Sequence, residues 1–235
     1  MAEALGQRGA AVALHYRGSV EGAKAAAGVV TSAGGRAVLV CADLTDEADT
    51  QTLLPRAAEA LGQPIDILVN NASTFEGDSA LDHSRLSWDL HMQTNLRMPI
   101  LLSQQLALAL PPGHKADIIN MIDQRVWKLN PTFFTYTLSK AALWTATQTL
   151  AQALAPNIRV NAIGPGPTLR NARQSEDDFR KQAEATLLKV PVGAENIVQA
   201  LLFLLDAKLV TGQMIAVDGG QHLGWETPDV VGIVE

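Results

Sequence analysis

The 235-residue chain is 47% hydrophobic and 18% charged, enough apolar material for a sizeable core and a composition that excludes a disordered chain. Its formal net charge of −6, with no block of like charge, excludes a nucleic-acid footprint and a polybasic membrane patch. No apolar run reaches the ~18 residues of a membrane span, and no leader pattern opens the sequence, so a cytoplasmic location is expected.

Short apolar runs alternate with helical periodicity along the chain. "AAVALHY" (10–16) predicts a buried strand, and 19–35 a helix with Ser19 as N-cap and a glycine stop. "RAVLVCAD" (36–43) predicts a second strand, with the single cysteine, Cys41, expected in the core. A helix at 46–62 contains Pro55, which is expected to kink or break it. A third strand follows at 65–72, and one long helical pattern at 84–110. Then come a strand at 116–122, a helix at 135–154, a strand at 158–166, a polar helical insert at 175–188, a helix at 194–206 and a strand at 212–220. Strands alternating with crossover-length helices predict an α/β fold, a doubly wound parallel sheet of Rossmann type, in one domain spanning 1–235. Such sheets bind ligands at the carboxyl ends of their strands. Those ends carry "HYRGS", "ADLTD", "NNASTF", "IDQ" and "GPGPT".

Tyr136 and Lys140 are four residues apart, so on a helix they share one face. An ammonium near a phenol favours the phenolate and is expected to lower its pKa from ~10, making Tyr136 a proton donor and acceptor. "YTLSK" (136–140), "VNNAS" (69–73), Asn95 in "QTNLRMP", "NAIGPGPT" (161–168) and "AVDGG" (216–220) occur in the order and spacing of the short-chain dehydrogenase/reductase family. The resemblance runs from residue 1 to about 223.

That resemblance implies roles. Tyr136 is the expected acid, and Lys140 supports it and holds the nicotinamide ribose. Asn95 is expected to fix a water linking Lys140 to solvent. Where most members carry serine, this chain has Asp123. A serine hydroxyl donates to a carbonyl oxygen, whereas an ionised aspartate only accepts, so an acid there suits a substrate with N–H donors or a protonatable C=N bond. The segments around Asp123, Tyr136 and "NNASTF" resemble the pteridine reductase branch, which reduces pterin and folate rings. In that branch the matching Asp and Tyr are catalytic, and the matching phenylalanine, Phe75, stacks on the pterin. Two other readings stay open: a carbonyl or imine reductase of another small substrate, and a non-catalytic paralogue serving as a binding or assembly subunit.

NADP is the expected cofactor. "LHYRGS" has no acid to accept a ribose 2′-OH, and Arg17 offers a guanidinium for a 2′-phosphate, with Ser19 beside it. His15 and Tyr16 are expected to frame the adenine side, and Asp43 and Leu44 to contact adenine. Asn71, Ala72 and Ser73 would line the ribose and nicotinamide channel. Pro165, Gly166 and Thr168 would pass beside the nicotinamide. His15, His83, His91, His114 and His222 show neither ligand spacing nor acidic partners, so no metal site is expected. The family resemblance also implies a homotetramer, with Trp144 in the core or at an interface, and the apolar tail from residue 222 onward suggests docking on a neighbour.

The family's first strand and its glycine-rich turn have no counterpart. "MAEALGQRGAAVALHY" matches the second half of the first helix and then the second strand. An upstream start, a shortened chain and a degenerate paralogue all account for this. Each predicts a sheet interrupted between 10–16 and 65–72, or rearranged to close the gap.

Overall fold

A computed structural model describes residues 1–170 and 173–233. Its helices are α1 (Ala2–Gln7), α2 (Val20–Ser32), α3 (Glu47–Leu61), α4 (Arg85–Met92), α5 (Met98–Ala109), α6 (Phe134–Leu154), α7 (Glu176–Glu184) and α8 (Ala194–Asp206). Its strands are β1 (Ala11–Tyr16), β2 (Arg36–Cys41), β3 (Ile67–Asn70), β4 (Ala116–Met121), β5 (Ile158–Pro165) and β6 (Met214–Val217). All pairings are parallel.

The strands β4 and β5 are buried along almost their whole length, as expected of central parallel strands covered on both faces. One face packs Leu53, Leu54 and Ala57 of α3 and Met98, Leu102 and Leu106 of α5 over Ile118 and Val160. The other packs Leu201, Leu204 and Leu205 of α8 over Ile119 and Ile163. Polar residues inside the strands are satisfied. Asn70 Nδ2 donates to Asn120 Oδ1 at 2.8 Å, and Asn120 Nδ2 donates to Thr147 Oγ1 at 2.9 Å.

The strands form two sheets: β1–β2, and β3–β4–β5–β6. Between β1 and β3, where no ladder is formed, lies a cavity of about 370 Å³. Ala11–His15 line one side and Ile67–Asn70 the other, with Met1 and, on α1, Leu5 among the remaining walls. The interruption expected between 10–16 and 65–72 is present, and the two strand edges have not closed on each other.

Several local expectations change. The pattern over 84–110 is three segments, because a π-helical stretch, Gln93–Arg97, separates α4 from α5. Such widened turns mark functional sites, and this one carries Asn95. The helix α3 runs unbroken through Pro55. Ser19 makes no side-chain cap to α2; its backbone, at ψ 78°, is not in the extended form that aims a cap oxygen. Cys41 is exposed, not in the core. It is the last residue of β2, where alternation turns Val40 inward and Cys41 outward.

Candidate active site

The chain leaves β4 at Met121 and turns through Asp123, whose backbone is extended. Asp123 Oδ1 accepts the Arg125 N–H at 2.8 Å, which fixes the carboxylate. Its Oδ2 accepts the Tyr136 hydroxyl at 2.9 Å. The helix α6 delivers Tyr136 and Lys140 on one face, both buried. Lys140 Nζ donates to the Met121 carbonyl at 2.8 Å and stands 5.8 Å from the Tyr136 ring centroid.

The electrostatics differ from the simple expectation of a lowered phenol pKa. Burial, and then the adjacent Asp123 carboxylate, push the Tyr136 phenol well above its usual value. The Lys140 ammonium is turned toward Met121 O rather than the phenol oxygen. Burial brings Lys140 down to about 8. Tyr136 is therefore a protonated donor at neutral pH, already paired with an acceptor.

Aromatic rings wall the site. Phe75 stacks on Phe133 with centroids 4.1 Å apart and planes 9° apart, and meets Tyr136 edge-on at 4.6 Å. Phe133 holds a left-handed backbone at φ 55°, ψ 52°, a conformation that costs a non-glycine residue on the order of 1–3 kcal/mol. The Arg125 guanidinium lies 5.2 Å from the Phe133 centroid, and that of Arg173 5.6 Å from Phe75. Arg173 also pairs with Glu76 at 2.6 Å, so the segment after β5 reaches back over the loop that carries Phe75.

Asn95 clamps that loop to α6. Its Oδ1 accepts from Ser73 Oγ at 3.0 Å and Thr74 N–H at 2.8 Å, and its Nδ2 donates to Ser139 Oγ at 3.2 Å. Asp123, Tyr136, Lys140 and Phe75 are thus assembled directly, with Asn95 one contact away.

The expected cofactor residues lie where the strands end. Arg17 and Ser19 are exposed after β1. Arg17 makes no ion pair among the described residues, and its charge helps hold the Asp43 carboxyl below its usual range, after the bonds from Thr45. His15 Nε2 donates to the Ala42 carbonyl at 2.9 Å, with Tyr16 next to it half-buried. Leu44 is buried. Asn71, Ala72 and Ser73 are exposed after β3. Pro165 ends β5 and Gly166 follows it; a Cβ on Gly166 would come within 2.6 Å of Asp218 Cα, so only glycine fits. Thr168 Oγ1 donates to Gly166 O at 3.0 Å. The donor set fits a dinucleotide: an exposed guanidinium suits a phosphate, and a buried ammonium that meets one hydrogen-bond acceptor among the described residues suits a sugar diol.

Two histidines do have acidic partners, against expectation. His222 Nδ1 lies 2.7 Å from Asp218 Oδ2, and His91 reaches Asp78 through Thr135. Among the described residues no cluster of three or more His, Cys, Asp or Glu could hold a metal ion. Phe133, Arg125, Arg173, His91, Thr135 and Asp78 were not legible as site residues. The one sequence signal was the aromatic pair in "TFFTY".

Residues 1–222 match the family model described as enoyl-(acyl carrier protein) reductase. The crystal structure of FolM alternative dihydrofolate reductase 1 from Brucella suis, in complex with NADP, superposes with a TM-score of 0.93 at 45% identity, covering 98% of this chain and 92% of that one. An uncharacterized oxidoreductase of Methylorubrum extorquens is 32% identical over 232 residues, 94% of this chain and 91% of the relative. Dihydromonapterin reductase of Citrobacter koseri is 38% identical over 135 residues, 56% of each chain. With its sheet order, its Tyr136–Lys140 face and these matches, the chain belongs to the short-chain dehydrogenase/reductase family of oxidoreductases.

Proposed function

We propose that this chain is an NADP-dependent reductase acting on a ring C=N bond of pterin or dihydrofolate type. The observation that carries the reading is the 2.9 Å Tyr136–Asp123 hydrogen bond set beside the Phe75 ring. A carboxylate in this position repels the oxyanion of a reduced ketone and accepts from the N–H groups of an aminopyrimidine-like ring. The NADP-bound FolM neighbour and the dihydromonapterin reductase relative support the same substrate class.

Bound NADPH supplies the hydride. Arg17 and Ser19 would hold its 2′-phosphate and Lys140 its nicotinamide ribose, with Asp43 and Leu44 toward adenine. The chain's own groups handle the proton. Tyr136, kept protonated by burial and by Asp123, turns its O–H from the carboxylate to the substrate nitrogen. Asp123 Oδ2, freed of that bond, accepts a substrate N–H. Phe75, with Phe133 facing it, offers an aromatic surface to a planar ring.

The test is Asp123→Ser, assayed by NADPH oxidation with dihydrofolate and dihydrobiopterin. Turnover on both should fall by at least about a hundredfold, the range for a positioned proton-transfer group, while folding is unchanged. A variant that reduces either substrate at the wild-type rate removes the pterin reading and leaves a carbonyl-type reductase.

A further inference from the structure

His91 on α4 has no exposed surface, and both ring nitrogens are committed. Nε2 accepts the backbone N–H of Glu76 at 3.1 Å. A backbone N–H can only donate, so in the neutral ring the proton sits on Nδ1. Nδ1 then donates to Thr135 Oγ1 at 2.7 Å. The Thr135 hydroxyl in turn donates its own hydrogen bond to Asp78 Oδ2, and Asp78 Oδ1 accepts the Thr135 N–H at 3.0 Å. Burial pushes the imidazole below its usual pKa, which keeps it neutral.

The chain carboxylate–hydroxyl–imidazole–amide joins three separate elements. Glu76 is the residue after Phe75, and Thr135 the residue before Tyr136. The imidazole also lies edge-on to the Tyr136 ring at 6.0 Å. A well-packed apolar side chain would fill the volume of His91 but leave the Glu76 N–H and the Thr135 hydroxyl without this partner. What it could not supply is direction: each bond here has one donor and one acceptor, so the loop and the helix have one relative setting.

We propose that His91, acting with Thr135 and Asp78, is a positioning residue that sets the Phe75 ring against the Tyr136 hydroxyl. It rests on the reading of Tyr136 as the acid and Phe75 as the stacking surface. His91 touches neither substrate nor cofactor in this role. It acts through the Glu76 amide on one side and the Thr135 hydroxyl on the other.

The experiment compares His91→Leu, His91→Gln, Thr135→Val and Thr135→Ser with wild type, using dihydrofolate and NADPH. Each variant is first checked for a cooperative thermal transition. His91→Leu loses both links: kcat should fall about ten- to a hundredfold, the scale of an ångström-sized misplacement, the dihydrofolate KM should rise, and the NADPH KM should stay. His91→Gln keeps an acceptor for Glu76, so the dihydrofolate KM should recover while kcat stays low. Thr135→Val should repeat the kcat loss even where His91→Leu does not fold, and Thr135→Ser should restore it. Independently of activity, the ring nitrogen shifts of His91 should report a neutral imidazole protonated on Nδ1 at neutral pH.

Folded Leu and Val variants with wild-type kinetics, an equal loss in every parameter including the NADPH KM, or the Nε2–H tautomer would each overturn the proposal. Tyr136→Phe run in parallel separates the two failures. If it abolishes turnover while His91 variants do not, the positioning role alone is wrong. If it retains turnover, the acid assignment is wrong and the positioning role falls with it.

Discussion

Lys140→Met should make the ligand-free protein more stable and inactive at once. The buried ammonium has been brought from 10.5 to about 8 by burial, a change that corresponds to about 3 kcal/mol of destabilisation while the charge is retained. Between about pH 8 and pH 10.5 the folded lysine is neutral and the unfolded one charged. Unfolding then takes up a proton, and stability rises with pH across that window. Below pH 8 both states are charged and the whole cost is present. Methionine has a similar length and no charge, so it removes the cost. It also leaves the Met121 carbonyl without its 2.8 Å donor, a loss of about 1 kcal/mol. The net gain at pH 7 should be about 2 kcal/mol, or an upward shift of roughly 1 M in the urea midpoint. Near pH 10.5 the gain should vanish. Urea unfolding of both proteins at the two pH values measures this directly. A variant less stable than wild type at pH 7, or one with the same gain at both pH values, would refute the placement of an incompletely compensated ammonium in this core.

Tyr136→Phe should lower turnover by about a hundredfold or more with the fold intact and a thermal midpoint only slightly lowered, since Phe keeps the ring packing but loses the hydroxyl and its 2.9 Å bond to Asp123; stopped-flow NADPH oxidation reads it. Arg17→Glu should shift preference from NADPH toward NADH, because a carboxylate repels a 2′-phosphate and accepts from a 2′-OH; equal use of both cofactors by wild type would contradict the role given to Arg17. Cys41, exposed at the end of β2, should react with Ellman's reagent in the native state as fast as in urea, and a protected thiol would contradict that exposure.

The strands were legible because each is a short, largely apolar run bounded by turn residues, and their order along the chain implied a parallel sheet. The groups Asp123, Tyr136 and Lys140 were legible because helical spacing and chemistry coincide there. What escaped was set by tertiary context. Periodicity alone does not distinguish an α turn from a π turn, so the segment around Asn95 read as uninterrupted helix. The direction of the Tyr136 shift is set by its burial and by the adjacent Asp123 carboxylate, which only the folded chain brings to the phenol. His91 looked like a lone histidine because its acid, Asp78, lies on a loop thirteen residues upstream and is reached through a hydroxyl on another helix. Phe133 lies three residues before Tyr136, yet nothing in its sequence surroundings announces a left-handed backbone.

The cavity between β1 and β3 bears on how the molecule comes apart. No ladder hydrogen bond crosses it, so the β1–β2 pair is joined to the rest by side-chain packing, through residues such as Ala13, Val40, Leu53 and Met98, and by side-chain bonds such as that from Arg56 Nη1 to the Cys41 carbonyl at 2.8 Å. Opening that pair breaks no ladder bond in the four-stranded sheet, which makes it a separate, lower rung of native-state hydrogen exchange than β4 and β5. Arg17 and Asp43 ride on the smaller unit, and Asp123, Tyr136 and Lys140 on the larger. A dinucleotide that engages both is a clamp across the two units. Its binding free energy adds to their docking, so in this chain cofactor affinity and the cooperativity of unfolding are two measurements of one coupling.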